Sequence, residues 1–151
     1  MGQSLSQLYV HLTFGTKGRK SWIVPNIEER VHAYMAGTLQ QYESPALIIN
    51  SVPDHVHILF RLSKNYALAR VVEEVKKQSS KWIKTLEGGT IQFRWQIGYG
   101  AFSVSSSNVE IVKRYIENQR EHHGYQTYQE EVEQFVKEYD IIEYDPKYFW
   151  E

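Results

Sequence analysis

Val52 to Phe60 reads VPDHVHILF. Pro53 and Asp54 are turn residues, and the chain after them alternates, with His55 and His57 on one side and Val56, Ile58 and Phe60 on the other. A strand with one apolar face must lay that face on a core, so the two imidazoles are forced together onto the opposite face. Ala46 to Val52 supplies the partner strand of a hairpin through the Pro53 and Asp54 turn. Leu8 to Phe14 repeats the pattern, setting Leu8, Val10, Leu12 and Phe14 against Tyr9, His11 and Thr13. If the apolar faces of these strands join, His11 comes to the same side as His55 and His57.

Helical periodicity separates the strands. Ile27, Val31, Tyr34, Met35, Leu39 and Tyr42 form a stripe after Pro25, with Asn26 and Glu29 as the expected capping box. A second helix is expected over Tyr66 to Leu86, with Leu68, Val71, Val72, Val75, Trp82, Ile83 and Leu86 inward. Beyond Gly88 and Gly89, Ile91 to Tyr99 sets Phe93, Trp95, Ile97 and Tyr99 against Arg94 and Gln96. It reads as a fourth strand, with GYGAFSVSSS as a flexible connection. The order strand, helix, strand, strand, helix, strand is the split βαβ pattern. It predicts an α+β, ferredoxin-like (RRM-like) antiparallel sheet with helices on one face.

A third helix is expected from a Ser107 and Glu110 capping box to His122, His123 and Gly124. It carries VKRYIENQ, Val112 to Gln119, with Tyr115 and Gln119 four residues apart on one face. Thr127 with Glu130 caps a short fourth helix containing Val132, Phe135 and Val136, and EYDPKYFWE closes the chain as an aromatic strap. One domain over 1–151 is expected: a sheet core to 105, the tyrosine-bearing helix over 106–124, and an acidic helix and strap over 125–151.

Composition limits the chemistry. The 151 residues include no cysteine, which excludes disulfides, thiolate zinc sites and cysteine nucleophiles and leaves imidazole or oxygen to hold any metal. The start, MGQSLSQLYVHL, lacks a signal-peptide pattern, and no apolar run approaches membrane-spanning length, so a soluble, unprocessed, cytoplasmic protein is expected. The formal net charge of -1 hides a segregation: residues 1–127 hold 15 Lys and Arg against 10 Asp and Glu, and 128–151 hold 2 against 8. The tail reads as a solvated helix and strap. Lys17, Arg19 and Lys20 in the loop GTKGRK, and Arg70, Lys77, Lys81 and Lys84 along one side of the second helix, read either as phosphate contacts or as solvated surface.

Two imidazoles at i and i+2 on a strand can converge on one cation, and a phenol and an amide four apart on a helix can reach one site. YVHLTFGTK (Tyr9 to Lys17), PDHVHILF (Pro53 to Phe60), KKQSSKWI (Lys76 to Ile83), WQIGYGAFSVS (Trp95 to Ser105) and KRYIENQREHH (Lys113 to His123) extend this pairing along the chain. In these stretches the sequence resembles the single-tyrosine HUH transposases of bacterial insertion sequences, insertion sequence 200/605 type. The resemblance implies Tyr115 as nucleophile and His55, His57 and Gln119 as ligands of Mg²⁺ or Mn²⁺. It further implies a homodimer whose tyrosine helix completes the partner's histidine site, acting on single-stranded DNA with subterminal hairpins. The implied reaction is metal-assisted transesterification giving a 5′-phosphotyrosine and a free 3′-OH, at the nucleoid when acting. His11 stands as an auxiliary ligand, a phosphate contact or a hydrogen-bonded structural histidine. A noncatalytic ferredoxin-like nucleic-acid-binding module and a domesticated repeat-associated tyrosine endonuclease remain the alternatives.

Overall fold

The computed structural model describes residues 2–121 and 126–151. Its elements are β1 (Leu8–Gly15), α1 (Pro25–Gln41), β2 (Ala46–Val52), β3 (His55–Leu62), α2 (Leu68–Ile83), β4 (Gly100–Val104), α3 (Val109–Glu117), α4 (Tyr128–Glu138) and α5 (Pro146–Phe149). The sheet is antiparallel in the order β2-β3-β1-β4, the ferredoxin-like arrangement. Alternation decides its two faces. Val10, Leu12 and Phe14 of β1 and Val56, Ile58 and Phe60 of β3 pack with Ile27, Val31, Met35 and Leu39 of α1 and with Val71, Val72 and Val75 of α2. The opposite face carries His11, Thr13, His55, His57 and Leu59, all buried. A smaller cluster of Leu59, Val104 and Ile116 seats α3 on that side.

The fourth strand is Gly100–Val104 rather than 91–99, so the small-residue stretch read as a flexible connection supplies the sheet edge. The aromatic alternation has another cause. Phe93 and Trp95 are buried side chains that anchor an irregular segment: Trp95 meets Phe14 and Phe93 edge to face, and its indole N–H donates to Ser79 Oγ at 2.9 Å. Ile97 is 74% exposed, which an inward strand position would not be. The segment follows the end of β1 through Lys17 N–H to Arg94 O at 2.9 Å and Gln96 N–H to Gly15 O at 2.8 Å, without forming a ladder.

Two expected capping boxes are absent. Val24 is the N-cap of α1 and Pro25 takes the first helical position, where its fixed φ and missing N–H cost nothing, so Asn26 lies inside the first turn. A 3₁₀ turn over Ser106–Asn108 leads into α3, whose N-cap is Asn108 without a side-chain bond. The Thr127 and Glu130 box on α4 is present in both directions. α3 ends at Glu117 with Asn118 as C-cap, so Tyr115 lies on that helix and Gln119 just beyond it. The expected helix end at His122, His123 and Gly124 lies outside the described residues. Among the described residues no helix is long and apolar enough to cross a membrane.

Because Phe93 is a buried anchor while Ile97 faces out, the two positions should respond differently to truncation. Phe93→Ala is expected to cost about 3–5 kcal/mol in urea unfolding, and Ile97→Ala to stay within about 0.5 kcal/mol.

Candidate active site

The β1 to β3 register sets Thr13 opposite His57 and Gly15 opposite His55, and β2 sets Asn50 beside His57. Three strands therefore deliver polar groups to one buried patch. Asn50 Nδ2 donates to the carbonyls of Ile116 at 2.9 Å and Glu117 at 3.2 Å, capping the C-terminal end of α3 from the sheet. That bond fixes the helix end next to Tyr115. Arg120 pairs with Glu28 of α1 and holds the chain after α3 against the body.

α4 closes the patch. Its stripe of Tyr128, Val132 and Phe135 faces inward, and so does Glu131, only 3% exposed. Glu131 Oε1 accepts from His57 Nε2 at 2.9 Å and lies 3.3 Å from His55 Nε2. Its Oε2 accepts from the Tyr115 hydroxyl and from Gln119 Nε2, the latter at 3.2 Å. Gln119 Nε2 also approaches His55 Nε2 at 3.1 Å. Tyr115, His55, His57 and Gln119 are thus brought together within one chain, around a carboxylate that the charge pattern had assigned to a solvated tail. The missed signal was its spacing: Glu131 falls three residues after Tyr128 and four before Phe135, on the apolar side of α4.

The histidines have their own supports. His55 Nδ1 is 2.7 Å from Asp54 Oδ1, and its ring stacks on Tyr128 with centroids 4.0 Å apart. Tyr128 is fully buried and hydrogen-bonds Thr13 Oγ1 at 3.0 Å, and Thr13 in turn donates to Val56 O at 2.9 Å. Gly15 makes room for that stack, since a Cβ there would lie 2.9 Å from Tyr128 Cε2. His57 Nδ1 and His11 Nε2 are 2.8 Å apart.

Burial would raise the Glu131 carboxyl, but hydrogen bonds with His55 and His57 outweigh it and hold the group far below the usual carboxylate range. Burial likewise works against charge on His55, yet the Asp54 and Glu131 carboxylates leave its pKa raised. Burial and then His57 bring His11 down to about 3, so it stays neutral. Burial, followed by the Glu131 charge, pushes the Tyr115 phenol well above its ordinary range.

The donor set suits a divalent ion. Ligand atoms of His55, His57 and Glu131 all lie within 4.8 Å of one another, and Gln119 Oε1 is buried with no hydrogen-bond partner among the described residues. Two imidazoles, a carboxylate and an amide carbonyl match a first-row ion such as Mn²⁺, and Mg²⁺ less tightly.

The cations expected to meet phosphate are spread more widely. Lys17 and Lys84 line one recess of about 570 Å³ together with Trp22, Ile91, Gln92 and Arg94, a cation not among those expected, so the loop after β1 and the end of α2 meet there. Lys17 Nζ donates to Glu151 O at 2.6 Å, and Arg19 lies over the Trp150 ring at 4.9 Å. Lys77 pairs with Glu74 at 2.7 Å, Arg70 lies over Tyr42 at 6.0 Å, and Lys20 and Lys81 are exposed.

Known proteins agree with this architecture. A solved chain from Deinococcus radiodurans R1, titled as a candidate transposase, is 22% identical with a TM-score of 0.59 over 79% of this chain and 96% of that one. A REP-associated tyrosine transposase bound to a REP hairpin is 14% identical, with a TM-score of 0.62 over 83% of this chain and 76% of that one. No curated protein matches. The model of the "Transposase IS200 like" family matches residues 4–119, which run from before β1 through Gln119, and this chain belongs to that family.

Proposed function

We propose that this protein cuts and rejoins single-stranded DNA by transesterification through Tyr115. The convergence of the Tyr115 phenol, two imidazoles, the Gln119 amide and the Glu131 carboxylate in one chain carries the reading. His55, His57 and Glu131 would hold a divalent ion, with Gln119 Oε1 as a further donor, and the ion's charge would make the scissile phosphate more electrophilic. Tyr115 Oη attacks phosphorus, the bond to the 3′ oxygen breaks, that oxygen takes a proton from water, and the products are a 5′-phosphotyrosine and a free 3′-OH. Glu131 Oε2, already accepting from that hydroxyl, is the acceptor in place for its proton. Because the phosphotyrosine is a phosphodiester, attack by a 3′-OH reverses the step and joins strands without ATP. Tyr115 lies beside His57 of its own chain, with ring centroids 5.8 Å apart, which supports a homodimer in which each subunit carries its own tyrosine and histidines.

The proposed substrate is single-stranded DNA carrying subterminal hairpins, met in the cytoplasm at the nucleoid. Phosphates would run along the recess of Lys17, Lys84 and Arg94, with Arg19, Lys20, Arg70, Lys77 and Lys81 as flanking contacts. The second reading, a repeat-associated tyrosine endonuclease with the same chemistry, draws on the structural neighbour titled as bound to a REP hairpin. Matching hairpins on both sides of the gene would favour a mobile element over that reading.

Tyr115→Phe should bind hairpin DNA within about twofold of the unaltered protein but form no covalent adduct on a denaturing gel. An undiminished adduct would remove Tyr115 from its role. EDTA should abolish scission, whereas a noncatalytic binding module would bind equally with and without EDTA and never cut. For the recess, Lys84→Ala and Arg94→Ala should each reduce the slope of log affinity against log salt by about 1. An unchanged slope in both would move the phosphate track elsewhere.

A further inference from the structure

A histidine that holds a metal through one ring nitrogen carries its hydrogen on the other, and something must accept that hydrogen. The two strand histidines differ in what they are offered. His55 points Nε2 into the cluster and Nδ1 at Asp54 Oδ1, 2.7 Å away. A carboxylate only accepts, so Nδ1 keeps its hydrogen whatever the charge state of the ring, and Nε2 is the atom left to ligate.

His57 also points Nε2 into the cluster, 2.9 Å from Glu131 Oε1, but its Nδ1 faces the Nε2 of another imidazole, His11, at 2.8 Å. With Nε2 donating to Glu131, Nδ1 accepts from His11 Nε2–H. Ligation through Nε2 needs the opposite sense. An imidazole can serve His57 both ways, as donor in one state and acceptor in the other. Both rings are buried, His11 at 2% and His57 at 0% exposure, so the standing partner of His57 Nδ1 is the His11 ring.

Resting on the proposed ion site, we infer that His11 and Asp54 are positioning residues: Asp54 fixes the tautomer of His55, and His11 lets His57 exchange one tautomer for the other when an ion enters. The proton count of the pair is unchanged. His57 Nε2 releases its proton to water, the proton between the rings passes from His11 Nε2 to His57 Nδ1, and His11 takes one from water at Nδ1. One histidine of the pair is therefore preset for ligation, and the other is switched into it.

The test uses the full chain with ¹⁵N-labelled histidine. Without metal, His57 should show the Nε2–H tautomer. Saturating Mg²⁺ should convert it to Nδ1–H with a parallel inversion at His11, while His55 keeps its Nδ1 hydrogen throughout. Mn²⁺ affinity, read by electron paramagnetic resonance, should fall about 10- to 100-fold in His11→Leu. In His11→Gln, whose amide carbonyl can accept from His57 Nδ1–H, it should stay within a few-fold. Should His11→Leu not fold, the tautomers of the unaltered protein and the Gln variant still decide. A bound ion with His57 remaining Nε2–H, or equal loss in the Leu and Gln variants, would overturn this inference alone. Failure to bind Mn²⁺ at all would overturn it together with the proposed metal site.

Discussion

A carboxylate removed from water has to be surrounded by donors, and the Glu131 carboxylate is the point about which the rest of this centre is arranged. Two imidazoles, a phenol and an amide converge on its two oxygens. None of these partners comes from the element that carries it. His55 and His57 belong to β3, Tyr115 to α3, and Gln119 to the chain just after α3, so one acidic side chain of α4 ties three parts of the fold together. Losing it would leave four polar groups facing one another in a closed space, and the cost would fall on the packing of α4 as well as on the chemistry.

That arrangement depends in turn on register. β3 is buried on both sides from His55 to Phe60, which is unusual for a strand of an antiparallel sheet that alternates so strictly. Its apolar side is covered by α1 and α2. Its imidazole side is covered by α3, which stands on Leu59, Val104 and Ile116, and by α4, whose Phe135 packs against the rings of His11, His57 and Phe102. A slip of one residue in the β1 to β3 pairing would turn β3 over relative to β1, carrying His55 and His57 into the main core and Val56 and Ile58 onto the face beneath α3 and α4. The placing of the histidines and the hydrophobic core are therefore specified by the same pairing.

Much of this was legible in the residues. The alternation of Leu8 to Phe14 and of His55 to Phe60 gave both central strands and their faces, and the helical stripes gave α1 and α2 with ends a few residues too long at α2. The fourth strand was misplaced because burial of Phe93 and Trp95 in an irregular segment produces the same period as a strand, whereas Gly100 to Val104 looks like a linker by composition. Asp54 was legible only as a turn residue, and its bond to His55 depends on how that turn is oriented. Glu131 was obscured by counting charge along the chain: an acid among eight in the tail looks solvated until its place on the α4 stripe is noticed. Asn50 gave no signal, since its role depends on where the carbonyls of α3 end.

The two oxygens of Glu131 also resolve an apparent conflict in the proposed chemistry. A carboxylate that accepts from the nucleophile's hydroxyl favours the neutral phenol, and Tyr115 is indeed held far from ionisation. The same carboxylate is offered as a metal ligand, which requires it to give up electron density elsewhere. The geometry divides the tasks: Oε1 lies at the two histidine nitrogens and Oε2 at the Tyr115 hydroxyl, while Gln119 Nε2 reaches both, at 3.4 Å and 3.2 Å. In the proposed reaction, a cation held at Oε1 would lessen the repulsion that a developing phenolate meets at Oε2. Before that, the phenol stays protonated and weakly nucleophilic. The carboxylate would thus restrain Tyr115 until the histidine side of the centre is filled, linking nucleophile activation to the state of the metal site through a single side chain.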